Sequence, residues 1–133
     1  EELLILFADL DHLKEINDSF GHIEGDFSIR HCAEVLKKVV GADGIVGRIG
    51  GDEFCVVTLG NLKDGQQIIE RIREESDAFN CTSDKEYYVE LSAGCTSVIC
   101  RNGLVIADAL READRALYEV KKLRRNSVKK IRL

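Results

Sequence analysis

Two acidic groups in this sequence are placed where carboxylates could hold a divalent cation. Asp9 closes a continuous apolar run, Leu3 to Ala8, and Asp11 follows two residues later. Asp52 and Glu53 are neighbours in the stretch Arg48-Ile49-Gly50-Gly51-Asp52-Glu53-Phe54. Adjacent carboxylates repel each other unless a cation lies near them. Hard cations take oxygen ligands, and Mg²⁺ typically takes one or two carboxylates together with phosphate oxygens. Gly50 and Gly51 carry no side chain, so a bulky anion could approach the backbone there. Metal-assisted phosphoryl transfer is the chemistry such a set would serve. Taken singly, each piece has a plainer reading. Gly-Gly-Asp-Glu also fits a solvated acidic turn, and Asp9 or Asp11 also fits the N-cap of a following helix, Asp11 especially.

The surrounding elements must bring the two groups together. The run ending at Asp9 reads as a central strand, residues 3–8, buried on both faces. The apolar runs 44–49 and 54–59 flank the acidic pair and predict a β-hairpin, with glycine supplying positive φ at its tip. Helices are expected over about 11–19, stopped by Phe20-Gly21, and over about 25–40, ended by Gly41. The second has an apolar face of Ile29, Cys32, Ala33, Leu36 and Val40. A third helix is expected from Gly65 to about Phe79, with Asp64 as a cap. A strand follows at 87–98, then a long helix at 104–123 and a last strand at 127–133. The order βααββαβαβ predicts an α/β (α+β) sandwich, with a mostly antiparallel sheet flanked by helices.

Composition narrows the class. A chain of 133 residues suits one domain with a full core, and 44% apolar with 32% charged residues is ordinary for a globular protein. No apolar run approaches the ~20 residues of a membrane span, so no direct membrane contact is expected. A net charge of −5 argues against general nucleic-acid binding. The five cysteines contain no Cys-x-x-Cys pair; Cys32, Cys55 and Cys95 read as buried thiols, which fits a reducing cytoplasm. The absence of Met and the opening within a strand predict a single domain, 1–133, taken from a longer protein that carries any sensor or membrane anchor.

Five blocks, in order over nearly the whole chain, carry a family resemblance. They are Phe7 to Asp18, Gly21 to Asp26, the hairpin signature itself, Leu91-Ser92-Ala93-Gly94, and Ala113 to Lys121. The chain resembles the GGDEF family, the diguanylate cyclases. The resemblance implies a five-stranded sheet like the palm-type core of nucleotidyl cyclases. It implies the condensation of two GTP into cyclic di-GMP with release of two pyrophosphates, with two Mg²⁺ (or Mn²⁺) ions per site and a second such domain facing the first in a homodimer. By position, Asp9, the Leu10 carbonyl, Asp52 and Glu53 match the metal ligands. Asp52, with Glu53, also matches the catalytic position. Lys14, Lys121 and Arg125 match the phosphate ligands, and Asn17 and Asp26 match the guanine ligands. Without the resemblance, Lys121 and Arg125 would read as a basic complement to a helix C-terminus, and Asn17 and Asp26 as helix-end caps. Asp at position 26 implies selection of GTP over ATP, and Asp26→Ser is expected to relax it.

The departures carry expectations too. The family's inhibitory Arg-x-x-Asp falls on Gly41-Ala42-Asp43-Gly44, so the bidentate arginine contact is missing and feedback inhibition through that site is not expected. Leu13 stands where Phe is usual, and Arg124 where Gly is common. The alternative to an active cyclase is a catalytically silent domain that binds GTP and regulates. Degenerate members usually lose the signature acids, which this chain keeps.

Overall fold

A computed structural model describes residues 2–99, 111, 114, 115 and 117–122. The element order is β1 (Glu2–Leu10), α1 (Leu13–Phe20), α2 (His22–Val40), β2 (Ile45–Arg48), β3 (Glu53–Leu59), α3 (Leu62–Thr82) and β4 (Leu91–Ile99). The strands form one sheet in the order β2-β3-β1-β4, with every adjacent pair antiparallel. β1 and β2 therefore run the same way with β3 between them, and β3 and β4 run the same way with β1 between them. These are two split β-α-β units. The fold class stands, with one correction: the sheet has four strands among the described residues, not five. The strand expected at 127–133 lies outside those residues, as does most of the helix expected at 104–123, of which the described residues 111, 114, 115 and 117–122 are helical.

β1 is central, and its alternation divides the molecule. Leu6, Ala8 and Leu10 join the main core with Phe54 and Val56 of β3, Leu91 and Ala93 of β4, Cys32, Leu36 and Val39 of α2 and Ile72 of α3. Ile5 faces the other way, packed by Leu3, Phe7, Cys55 and Val98. The residues of this opposite face lead along β1 to Asp9, because side chains two apart share a face. Burial pushes the Cys32 thiol up to about 12 and also raises Cys55 and Cys95, consistent with inert thiols.

Several local expectations are corrected. The N-cap position of α1 is His12 in the left-handed conformation (φ 62), without a side-chain capping hydrogen bond, and not Asp11. α3 begins at Leu62, three residues early, on a capping box: Asn61 accepts from the Asp64 amide and Asp64 accepts from the Asn61 amide. Gly65, expected at the helix start, lies inside it, where a Cβ would come within 2.6 Å of Cys95 Sγ. Glycine there lets helix and sheet approach closely. β4 starts at Leu91 rather than Tyr87. The Asn80 amide holds both the N–H (2.9 Å) and the C=O (3.0 Å) of Val89, so a side chain takes the place of a neighbouring strand. Gly21 (φ 92) and Gly41 (φ 83) end α1 and α2 as expected.

Candidate active site

The sheet register builds the site. Asp9 is paired with Glu53 across the β1–β3 ladder and with Ser92 across β1–β4. Cross-strand partners point to the same face, so a second carboxylate stands beside Asp9. The Leu10 amide donates to the Asp52 carbonyl at 2.9 Å and ties the end of β1 to the hairpin tip. Ligand oxygens of Asp9, Asp52 and Glu53 lie within 4.8 Å of one another. Like charges directly opposed on a sheet destabilise it, so the fold tolerates a cost here.

The hairpin tip is held by a residue that the motif reading did not single out for a role. Arg48 donates from Nε to the Gly50 carbonyl (3.0 Å) and from Nη2 to the Gly51 carbonyl (2.8 Å). The Ile49 amide donates to the Glu53 carbonyl at 2.9 Å. Positive φ at the tip is not used: among the described residues only His12, Gly21, Gly41 and Gly60 adopt it. A Cβ on Gly51 would meet nothing within 4 Å. Gly51 thus faces open space rather than satisfying a turn, whereas a Cβ on Gly50 would contact Glu53 at 3.6 Å.

Asp9 is the buried member, 7% exposed. Its Oδ2 accepts from Lys121 Nζ at 2.6 Å, and its Oδ1 is buried without a hydrogen-bond partner. Burial pushes the Asp9 carboxyl above its ordinary value; Lys121 opposes this, while the charges of Asp52 and Asp114 add to it. Glu53 is also raised, first by burial and then by Asp9, Asp52 and Asp114. Three hard oxygen donors, an excess of negative charge and one unsatisfied buried oxygen fit a Mg²⁺-type ion.

Asp114 has no role in the motif reading, although it lies in the block Ala113 to Lys121. It stands seven residues before Lys121 on a helical segment, two turns away and on the same face. That spacing was the available signal. Asp11 supports the site from behind: buried, it accepts from Ser92 Oγ at 2.9 and 2.8 Å, and its amide donates to the Glu90 carbonyl. It ties the turn after Leu10 to β4.

Of the two residues that match the guanine ligands, Asn17 reaches the start of α2. A Cβ added to Gly25 would lie 1.8 Å from Asn17 Oδ1, so the Asn17 side chain rests against the backbone beside Asp26. Asp26 is exposed on the first turns of α2, and Lys14 is exposed on the first turn of α1. Arg125 lies outside the described residues.

A family model described as "Diguanylate cyclase, GGDEF domain" matches residues 1–127. The chain belongs to the GGDEF family. It is 38% identical to the diguanylate cyclase DgcP of Escherichia coli over 124 residues, 91% of this chain and 36% of that protein. It is 34% identical to the probable diguanylate cyclase DgcT of the same organism, across 93% of this chain and 28% of the relative. The chain therefore spans about a third of the length of these relatives. Among solved structures, the active GGEEF domain of a Vibrio cholerae diguanylate cyclase superposes with a TM-score of 0.81 at 30% identity, covering 92% of this chain and 78% of that one. The GGDEF domain of DgcB from Caulobacter crescentus, solved with c-di-GMP, gives 0.75 at 26% identity, covering 91% and 72%. No helix among the described residues is long and apolar enough to cross a membrane.

Proposed function

We propose that this GGDEF domain is an active diguanylate cyclase, joining two GTP molecules into cyclic di-GMP with loss of two pyrophosphates. The observation that carries the reading is the Asp9–Asp52–Glu53 cluster with its unsatisfied Asp9 oxygen. Degenerate members of the family usually lose the signature acids, and this chain keeps them. Asp9, Asp52, Glu53 and the Leu10 carbonyl would hold two Mg²⁺ or Mn²⁺ ions. Bound there, the ions would supply charge neutralisation at the α-phosphate and ease deprotonation of the attacking ribose hydroxyl.

The chain's own groups do the rest. Asp26 accepts from the guanine N1–H and exocyclic amine, and Asn17 offers a donor and an acceptor beside it. Adenine presents the reverse pattern and leaves Asp26 unpaired, so ATP is disfavoured. Lys14, Lys121 and Arg125 bind the β- and γ-phosphates and orient the chain of phosphates for in-line attack. Asp52, near the reacting hydroxyl, takes up its proton. One domain holds one GTP, so the 3′-hydroxyl that attacks comes from the nucleotide of a second domain, in a homodimer. With Gly41-Ala42-Asp43-Gly44 at the end of α2, product does not inhibit through an Arg-x-x-Asp site. The domain acts in the cytoplasm, where GTP is available.

The test is turnover of GTP with Mg²⁺ or Mn²⁺ at low and high protein concentration, with products separated by chromatography. Cyclic di-GMP should form faster than linearly with protein. GTP binding without any product at high concentration would replace this reading with that of a silent regulatory domain.

A further inference from the structure

We infer that Lys121 is an exchangeable counter-ion, holding Asp9 while the metal is absent and moving to the triphosphate when metal and nucleotide enter together. The inference rests on the proposed metal and phosphate roles and adds a competition that those roles do not contain. The Lys121 ammonium lies 2.6 Å from Asp9 Oδ2, and the two side chains are only 20% and 10% exposed. Within a buried site, an ammonium at that distance contributes a charge-assisted hydrogen bond and most of the neutralisation that Asp9 receives. A divalent cation on the same carboxylate would face that ammonium at short range, and like charges so placed exclude each other.

The geometry offers a way out. Lysine is a compact charge on a flexible four-carbon stem, able to swing between neighbouring anions. Its segment also carries Asp114, whose charge acts on Asp9 in the opposite sense. When a triphosphate arrives, Lys121 gains an anionic partner and Asp9 is released to the metal. Metal and nucleotide then favour each other's binding through one side chain, a reciprocal coupling between two ligands.

The exchange predicts effects of opposite sign from one substitution. Lys121→Met should tighten Mn²⁺ binding without nucleotide by roughly tenfold, the scale of one charged hydrogen bond. It should weaken binding of a non-hydrolysable GTP analogue, in the presence of Mn²⁺, by a similar factor. Mn²⁺ is read by electron paramagnetic resonance and the analogue by calorimetry, so neither readout is turnover. Lys122→Met, a neighbouring exposed lysine carrying the same charge change, should move Mn²⁺ affinity less than twofold. Lys121→Gln serves if the methionine variant does not fold.

Tighter Mn²⁺ binding in the Lys121 variant alone supports the exchange. Unchanged or weaker Mn²⁺ binding in a folded variant overturns it and leaves the metal site intact. Failure of Mn²⁺ to bind parent and variant alike, with or without nucleotide, overturns the exchange together with the metal assignment.

Discussion

Asp9 and Glu24 each sit beside a lysine, and the protein treats them in opposite ways. Glu24 Oε1 accepts from Lys85 Nζ at 2.8 Å and from Tyr87 Oη at 2.6 Å. The Lys85 ammonium also lies 4.5 Å above the Phe27 ring. The hydrogen bonds from Lys85 and then Tyr87 hold the Glu24 carboxyl below its ordinary value. Asp9 has its lysine too, yet burial and the neighbouring acids push it the other way, and one oxygen has no partner. Glu24 is a finished cross-link between α2 and the segment leading to β4. Asp9 is unfinished, and what it lacks is positive charge. Departures from local consistency concentrate at functional sites.

The sharpest way to break this contrast is to remove an acid from the unfinished cluster. Asp52→Asn should lower turnover by roughly 10²–10³-fold, the effect of losing several kcal/mol of transition-state stabilisation. The same change relieves repulsion in the metal-free protein, so its melting temperature should hold or rise. A melting temperature lower by several degrees, with turnover intact, would make Asp52 a structural acid like Glu24 and erase the distinction.

A second substitution separates binding from folding at the guanine end. Gly25 lies within α2, has ordinary helical geometry and is buried, with Asn17 Oδ1 pressed against it. Alanine is the better helix former by about 1 kcal/mol, but its methyl would displace the Asn17 amide. Gly25→Ala should therefore leave the melting temperature within a few degrees and weaken GTP-analogue binding about tenfold, as expected for a lost hydrogen bond to a ligand. Calorimetry with the folded variant checks it; unchanged affinity would remove Asn17 from the site.

Much of the finished part of the molecule was legible in the sequence; in the unfinished part the acids were legible as candidate metal ligands, and the phosphate and guanine ligands only by resemblance. The strand into Asp9, the hairpin, and the helices ended by Gly21 and Gly41 follow from periodicity and from two of the glycines that adopt positive φ. The Asn61 cap was missed because Gly65 reads as a boundary, whereas it marks close packing against Leu4 and Cys95. The start of β4 was missed because Asn80 satisfies the Val89 backbone, a contact between residues nine apart that no strand pattern reveals. The convergence of Asp9, Asp52 and Glu53 depends on cross-strand register, which a pattern within one strand does not specify. Asp11, Ser92 and Arg48 are chemically ordinary residues, and only their partners give them a role.

The smallest effect sharpens the comparison from the other side. Glu24 has a folded-state value below the ordinary 4.5. The folded protein therefore holds that proton less tightly than the unfolded chain does, and ionisation of Glu24 favours folding. This contribution is complete above about pH 4.5 and is lost as pH falls through the lower folded value. Glu24→Gln should lower the melting temperature by a few degrees at pH 7. The gap should narrow as both proteins are acidified below pH 4.5, because the parent then loses the same ionised partner for Lys85 and Tyr87. Because those two donors come from the segment before β4, the loss should register as loosening there. Hydrogen exchange at Val89, whose amide donates to Asn80, should speed up while amides of β1 keep their protection. A gap independent of pH would mean that Glu24 acts through packing and not through charge. Glu24 would then no longer serve as the charged, satisfied counterpart to Asp9.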